Sequence, residues 1–278
     1  MKKTVLAIFC ICFHVPLLFS HGDVHERIKA LSEEIKANPD SVALYLVRGE
    51  MYHAHQLYKK AIKDFKTCKR KGLKSNRVYL SLAKSYHERG KSRKALRQLK
   101  RILNKEPQYV RALRLQGNIL LDEGNFCAAR VPLEEVIEIL KDRQVENYLE
   151  LAAAHQDCTD SGSKGKAILV LEKGIADLGP LLILFERLKN IALQQQDYKT
   201  AIEQQDAIIK YSIRKEKPYF ERALLYTEIS ETEKAQNDLK TSQSLVRKLP
   251  IRFQQMESIQ KLQRQIVKTM NLILDPGQ

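Results

Sequence analysis

The sequence has no tryptophan, and its 278 residues include only 11 glycines and 8 prolines. So few chain breakers exclude a fold of many short elements joined by tight turns. No run alternates β-branched or aromatic residues with polar ones, which excludes a half-buried sheet as the main architecture. Of five cysteines, Cys10 and Cys12 stand near the N-terminus, leaving Cys68, Cys127 and Cys158. An odd number of three is no disulfide framework. Acids are scarce against bases: 33 Asp and Glu face 48 Lys and Arg, a formal charge of +15. What dominates is Leu, Ala, Lys, Glu, Gln and Ile, the composition of a helical protein.

Long apolar runs are also scarce, and one stands out. "TVLAIFCICFHVPLLF" (4–19) follows Lys2 and Lys3 and ends beside the small residue Ser20. That order reads as a secretory leader, residues 1–20, cleaved near Ser20. A membrane span needs roughly 20 apolar residues, and His14 and Pro16 interrupt this one. An uncleaved anchor is the alternative. Cleavage would make the chain secreted or periplasmic, with nothing left to span a membrane.

Downstream, one pattern recurs at a period of 34 residues. Tyr45, Gly49, Tyr52, Ala61 and Phe65 return as Tyr79, Ala83, Tyr86, Ala95 and Leu99. They return again as Leu113, Gly117, Leu120, Ala129 and Leu133. Three looser copies follow, carrying Tyr148, Ala152 and Ala167, then Phe185, Ala192 and Ala201, then Tyr219, Ala223 and Ala235. Copies start near 42, 76, 110, 145, 182 and 216. The small polar stretch 157–165 reads as an insertion between the helices of copy four. Gly90 and Gly124 fall where turns require positive φ.

This pattern resembles the tetratricopeptide repeat superfamily, in a secreted, bacterial-type chain. The resemblance implies an all-α fold: a right-handed superhelical solenoid of helix–turn–helix units with N- and C-terminal capping helices. Residues 21–41 would form the first cap, with a helix over 23–38 capped by Asp23. About six units would occupy 42–248. Residues 249–278 would hold the second cap, a long amphipathic helix over 253–274, and a tail. Small residues at 49, 83, 117, 152 and 223 would let the first helix of a unit approach the second. No unit buries its apolar face alone, so the stack is the folding unit.

The charge is local. Between Lys59 and Lys105 stand 18 Lys or Arg and two acids, Asp64 and Glu88. In this family the second helix of each unit lies outside, so Lys66, Lys69, Arg70, Arg93, Arg97 and Arg101 would form a convex basic face. Such like-charge density costs stability by self-repulsion. A solvated face is one account of it, and contact with an anionic surface is another. The first helices would line a concave face, presenting Arg77, Lys84, His87, Arg111, Arg114 and Asn118. These suit a carboxylate or phosphate, through charge-assisted hydrogen bonds. No aromatic interleaves the basic residues of the outer face, so nucleic acid is not the expected partner.

Other constellations weigh less. Cleavage after Ser20 would expose His21, whose amine and imidazole chelate metal, with His25 one turn on and His53 and His55 in the copy expected to pack beside the N-terminal helix; Cu or Zn would suit them. Otherwise no cofactor is expected. "GSKGK" (162–166) lacks the spacing and the preceding strand of a phosphate loop, and reads as an inter-helix loop. "HERG" (87–90) lacks the second His of a zinc-protease helix. Cys127 and Cys158 fall at neighbouring places in the stack, where a bridge is geometrically allowed and buried thiols are the alternative. With no catalytic constellation, the expectation is a non-enzymatic scaffold or adaptor of the cell envelope. It would hold an acidic protein segment or an anionic surface through the first three units. A metal-binding accessory protein is the alternative.

Overall fold

The computed structural model describes residues 22–140, 144–160 and 162–274. The leader reading of 1–20 and His21 lie outside the described residues. Among the described residues there are fifteen helices and no strand. In chain order these are α1 (Gly22–Ala37), α2 (Val42–Ala54), α3 (Tyr58–Arg70), α4 (Asn76–His87) and α5 (Ser92–Leu103). Then come α6 (Val110–Asp122), α7 (Phe126–Ile139), α8 (Val145–Asp157), α9 (Ser163–Leu178) and α10 (Leu182–Gln194). The last are α11 (Tyr198–Tyr211), α12 (Glu216–Glu228), α13 (Thr232–Arg247), α14 (Ile251–Gln254) and α15 (Glu257–Leu274). The chain divides into two compact units between Arg101 and Ile102, inside α5. The strongly basic stretch 59–105 ends just beyond that point.

In the first unit, α1 packs on α2, α2 on α3 and α3 on α4. The expected small-residue approach is present. A Cβ on Gly49 would lie 2.7 Å from Phe65 Cε1, so the ring occupies space that any other residue would fill. Phe65 and Ala61 are completely buried as a result. Ser75 starts α4 by accepting a hydrogen bond from the Val78 N–H at 3.4 Å, an N-cap worth about 1 kcal/mol.

In the second unit, α6 pairs with α7, α8 with α9, α10 with α11 and α12 with α13, and α15 closes on α13. Gly117 repeats the arrangement of Gly49, with Leu133 Cγ and Cδ2 both 2.6 Å from its would-be Cβ. Tyr148 is fully buried in the middle of this unit and donates its hydroxyl to Asp177 Oδ2 at 2.6 Å. Ile259, Leu262 and Ile266 of α15 close the C-terminal core against Phe220, Leu239 and Val246.

Gly90 and Gly124 do adopt positive φ, at 62° and 70°. The same turn position in other copies is Gln56 (60°), Gln196 (56°) and Ser230 (60°). The left-handed turn is thus imposed by the hairpin even where no glycine is supplied.

Three boundaries differ from the sequence expectation. Helix α1 begins at Gly22, so Asp23 lies in its first turn instead of capping it. The C-terminal helix does not start at 253: Gln254 Nε2 donates to Leu249 O at 2.7 Å and to Arg247 O at 3.1 Å, which holds α14 as a separate turn. The insertion of copy four is shorter than expected. Gly162 turns the chain at φ 77°, and Ser163 to Lys166, expected as loop, form the first turn of α9.

Cys127 and Cys158 form a disulfide across 31 residues, with Cα atoms 4.9 Å apart. It ties the start of α7 to the residue after α8. Cys68 is buried, and burial pushes its thiol up to about 11, so it stays protonated and unreactive.

Two outcomes test these packing claims. Gly117→Val forces Leu133 to move and is expected to cost about 1–3 kcal/mol, a fall in melting temperature of at least about 3 °C by circular dichroism. Cys127→Ser removes a 31-residue cross-link, and is expected to lower stability by roughly 3 kcal/mol in denaturant titration. Reductant should reproduce that loss in the parent and leave the variant unchanged.

Candidate functional site

The basic residues of the first unit are surface-bound because their helices are two-faced. Helix α3 turns Ala61, Ile62, Asp64, Phe65 and Cys68 inward. Helix α4 buries Val78, Tyr79, Leu82, Ala83 and Tyr86. Lys66, Arg70, Arg93, Arg97 and Arg101 are exposed and Lys69 is half-buried. Among the described residues none of these six is in an ion pair. The two acids within the stretch are committed elsewhere. Asp64 accepts a fork from Arg48, with Nε and Nη2 at 2.8 and 2.9 Å. Glu88 accepts from the Tyr58 hydroxyl at 3.3 Å. The cationic field is strong enough to act on itself. Arg89, with Lys94, Lys59 and Lys66 beyond it, holds the Lys91 ammonium below its ordinary value.

The residues expected on the first-helix face fall three on α4 and three on α6, one set in each unit. On α4, Lys84 is exposed and His87 half-buried. Arg77 is exposed but already engaged: its Nε and Nη2 both lie 2.7 Å from the Glu50 carboxylate. On α6, Arg111 is exposed, and Arg114 Nη1 reaches Gln144 Oε1 at 3.5 Å. Asn118 donates to Glu150 Oε1 of α8 at 3.2 Å. Around this pair several buried polar atoms have no partner among the described residues: Arg114 Nε, Asn118 Oδ1, Glu150 Oε2 and both amide atoms of Asn147. Burial raises the Glu150 carboxyl above its usual range; Asn118 and Arg114 pull it down, and Glu146 adds to the rise. This corner therefore combines a cation with a carboxyl that resists ionising, and hydrogen-bonding groups that face inward unmatched.

Of the histidines expected to hold metal, His21 lies outside the described residues. His25 and His55 are exposed on α1 and at the end of α2. His53 Nδ1 is 3.0 Å from the buried Ser85 hydroxyl, and its ring lies 5.4 Å from that of Tyr58. Burial holds the His53 imidazole below its ordinary value. Among the described residues, the His, Cys and acid side chains within ligand reach of one another are Cys127, Cys158 and Asp160. Those cysteines are joined to each other, and Asp160 accepts from Arg130 at 2.7 Å.

One recurrent polar unit escaped the sequence reading. Arg48 lies between the rings of Tyr45 and Tyr52, 5.7 Å from each, and forks onto Asp64. Arg222 lies between Tyr219 and Tyr226, at 5.3 and 5.7 Å, and forks onto Asp238 with both contacts at 2.7 Å. Its hydrogen bonds to Asp238 hold the Arg222 guanidinium well above its ordinary value. In both places the acid follows the arginine by 16 residues. Lys189 and Gln205 keep the same spacing, with a 2.8 Å hydrogen bond. That interval, one position on each helix of a hairpin, is the signal that would have found them.

Comparison with known proteins agrees with this geometry. A family model described as the Tetratricopeptide repeat protein 21 ARM repeat matches residues 20–126. No curated protein matches the sequence. The C-terminal part of a TPR repeat-containing protein from Cytophaga hutchinsonii is similar at 19% identity and a TM-score of 0.67, over 82% of this chain and 92% of that one. A tetratricopeptide repeat protein from Parabacteroides merdae is similar at 18% identity and a TM-score of 0.55, over 88% and 93%. YrrB, described as a TPR protein with an unusual peptide-binding site, is similar at 12% identity and a TM-score of 0.54, over 66% and 92%. The chain has the all-helical fold of the tetratricopeptide repeat superfamily.

The Glu150 environment is open to titration. Its folded pKa lies above the unfolded one, so its favourable contribution is complete below the unfolded value and is lost as pH rises through the folded value. Glu150→Gln is therefore expected to melt about 1–2 °C higher than the parent at neutral pH. That gap should close near pH 4, at about the ordinary Glu value. Melting curves at the two pH values check this.

Proposed function

We propose that this protein is a non-enzymatic scaffold that holds an acidic segment of a partner protein through its basic first repeats. The observation that carries the reading is a shortage of internal counterions: Asp64 and Glu88 are turned to Arg48 and Tyr58, and although Lys71 pairs with Asp40 and Arg77 with Glu50, Lys66, Arg70, Arg93, Arg97 and Arg101 stay exposed with no ion pair among the described residues. Uncompensated cations at the surface cost self-repulsion, which an acidic partner relieves. Lys84 on α4 and, separately, Arg111 on α6 are exposed and available to acidic groups. The peptide-binding description of YrrB, a protein of the same fold, supports the class of activity.

The reading extends to the cell envelope as the place of work. The leader-like first twenty residues support it. So does the Cys127–Cys158 disulfide, a bond that persists in oxidising compartments and is rare in the cytosol.

Fluorescence anisotropy with a labelled acidic peptide, such as a Glu/Asp-rich dodecamer, tests the binding claim. Affinity should fall steeply between about 50 and 300 mM salt, as the screening length shortens. Reversing Lys84 with Arg77, and separately Arg111 with Arg114, to Glu should each weaken binding about tenfold, near 1.4 kcal/mol. Unchanged affinity in both variants would overturn the assignment of these helices.

A further inference from the structure

We infer that the outer face formed by α3 and α5 docks the protein onto an anionic lipid surface. This goes beyond the scaffold reading: it starts from the same exposed cations, but the residues reversed in its test, on α3 and α5, are not those reversed in the peptide test, on α4 and α6. Lys66 and Arg70 on α3, and Arg93, Arg97 and Arg101 on α5, point to solvent while Phe65, Cys68, Ala95 and Leu99 of the same helices are completely buried. Each helix therefore presents a single-sign stripe opposite its core stripe. The two helices share one field: Lys91 at the start of α5 responds to Lys59 and Lys66 of α3 as well as to its own neighbours.

The composition of this face selects the occupant. A protein interface is centred on apolar and aromatic anchors and is depleted in lysine at its core. No large apolar residue is exposed between Tyr58 and Leu103. Arg101 stacks on the buried Tyr79 ring at 5.8 Å, so that aromatic is already covered. The face has charge without a hydrophobic centre, which suits a smeared anionic plane better than a shaped protein partner. The same lack of exposed aromatics removes the stacking platform of a single-strand nucleic-acid site. The disulfide, a mark of oxidising compartments, also argues against nucleic acid. Among the described residues no helix is long and apolar enough to cross a bilayer. The contact made by this face is peripheral: long cationic side chains lie among phosphate head groups and are released by salt.

Co-sedimentation of the full chain with vesicles tests this. Phosphatidylcholine vesicles with about 30% phosphatidylglycerol are compared with pure phosphatidylcholine. The neutral vesicles measure whatever the first twenty residues contribute by themselves. Binding should be at least about tenfold stronger to the anionic vesicles and should disappear near 0.5 M salt. The variant Lys66→Glu/Arg70→Glu/Arg93→Glu/Arg97→Glu should lose that preference while keeping the parent's circular dichroism spectrum. Because four reversals in one unit could also unfold it, the four Gln substitutions serve as a second set, with a loss of preference again expected. Reversal of the exposed Lys173, Lys240, Arg264 and Lys268 in the second unit should leave vesicle binding intact. Equal binding to both vesicles, or an unchanged preference in the Gln variant, overturns the proposal. So does binding to polyglutamate or duplex DNA with no binding to anionic vesicles. Failure here leaves the acidic-peptide titration unaffected, since that assay contains no lipid and reads α4 and α6.

Discussion

The hairpins of this chain are built on small residues at the seam, and in α2–α3 and α6–α7 the helices lie closer than any side chain beyond glycine permits. Phe65 and Leu133 sit where a Cβ on Gly49 or Gly117 would be, and in α8–α9 the roles reverse, with Gly174 of the second helix making room for Tyr148 of the first, 3.0 Å from its would-be Cβ. Ala61, Ala95, Ala129, Ala167, Ala201 and Ala235 meet the same demand and are completely buried. Close approach maximises dispersion contacts along the seam, and a single misplaced methyl forfeits them. Because small residues occupy the seam inside a hairpin, the large apolar ones are left to fill the joints between hairpins. No hairpin therefore has a core of its own, and stability is shared with neighbours.

The distribution of charge follows from the same packing. A position 16 residues after the key arginine brings an acid across the seam, and Arg48–Asp64 and Arg222–Asp238 exploit it. Each guanidinium is clamped between two tyrosines, which desolvates it and makes the forked carboxylate necessary. In the first unit this withdraws one of the two acids of residues 59–105 from the surface, and Tyr58 engages the other. The exposed basicity of α3 and α5 is thus not only a matter of how many lysines and arginines there are. It also reflects where the acids are needed.

The corner of α6 and α8 has a different character. Arg114 and Asn118 looked in sequence like a carboxylate receptor, but part of their capacity goes to Gln144 and Glu150. Asn147 is 2% exposed, and its side-chain amide has no hydrogen-bond partner among the described residues. Inward polar groups without partners are costly, so this corner detracts from the stability of the second unit.

Much of the architecture was legible in residues 42–248, because a repeat states its spacing several times over. The small positions 49 and 117 and the turn glycines 90 and 124 all behave as the period requires. The basic stretch was equally legible, since 18 cations against two acids need no coordinates to be noticed. Single-copy events were not legible: the start of α9 at Ser163, the break between α14 and α15, and the pairing of Asn118 with Glu150. Amino-acid order alone determined that helices would pair in tandem, since helical periodicity and small-residue spacing are local properties. Only the tertiary structure decided which charges are spent and which are free. Whether Arg77 meets Glu50 or Cys127 meets Cys158 depends on distances between helices that the order of residues does not contain.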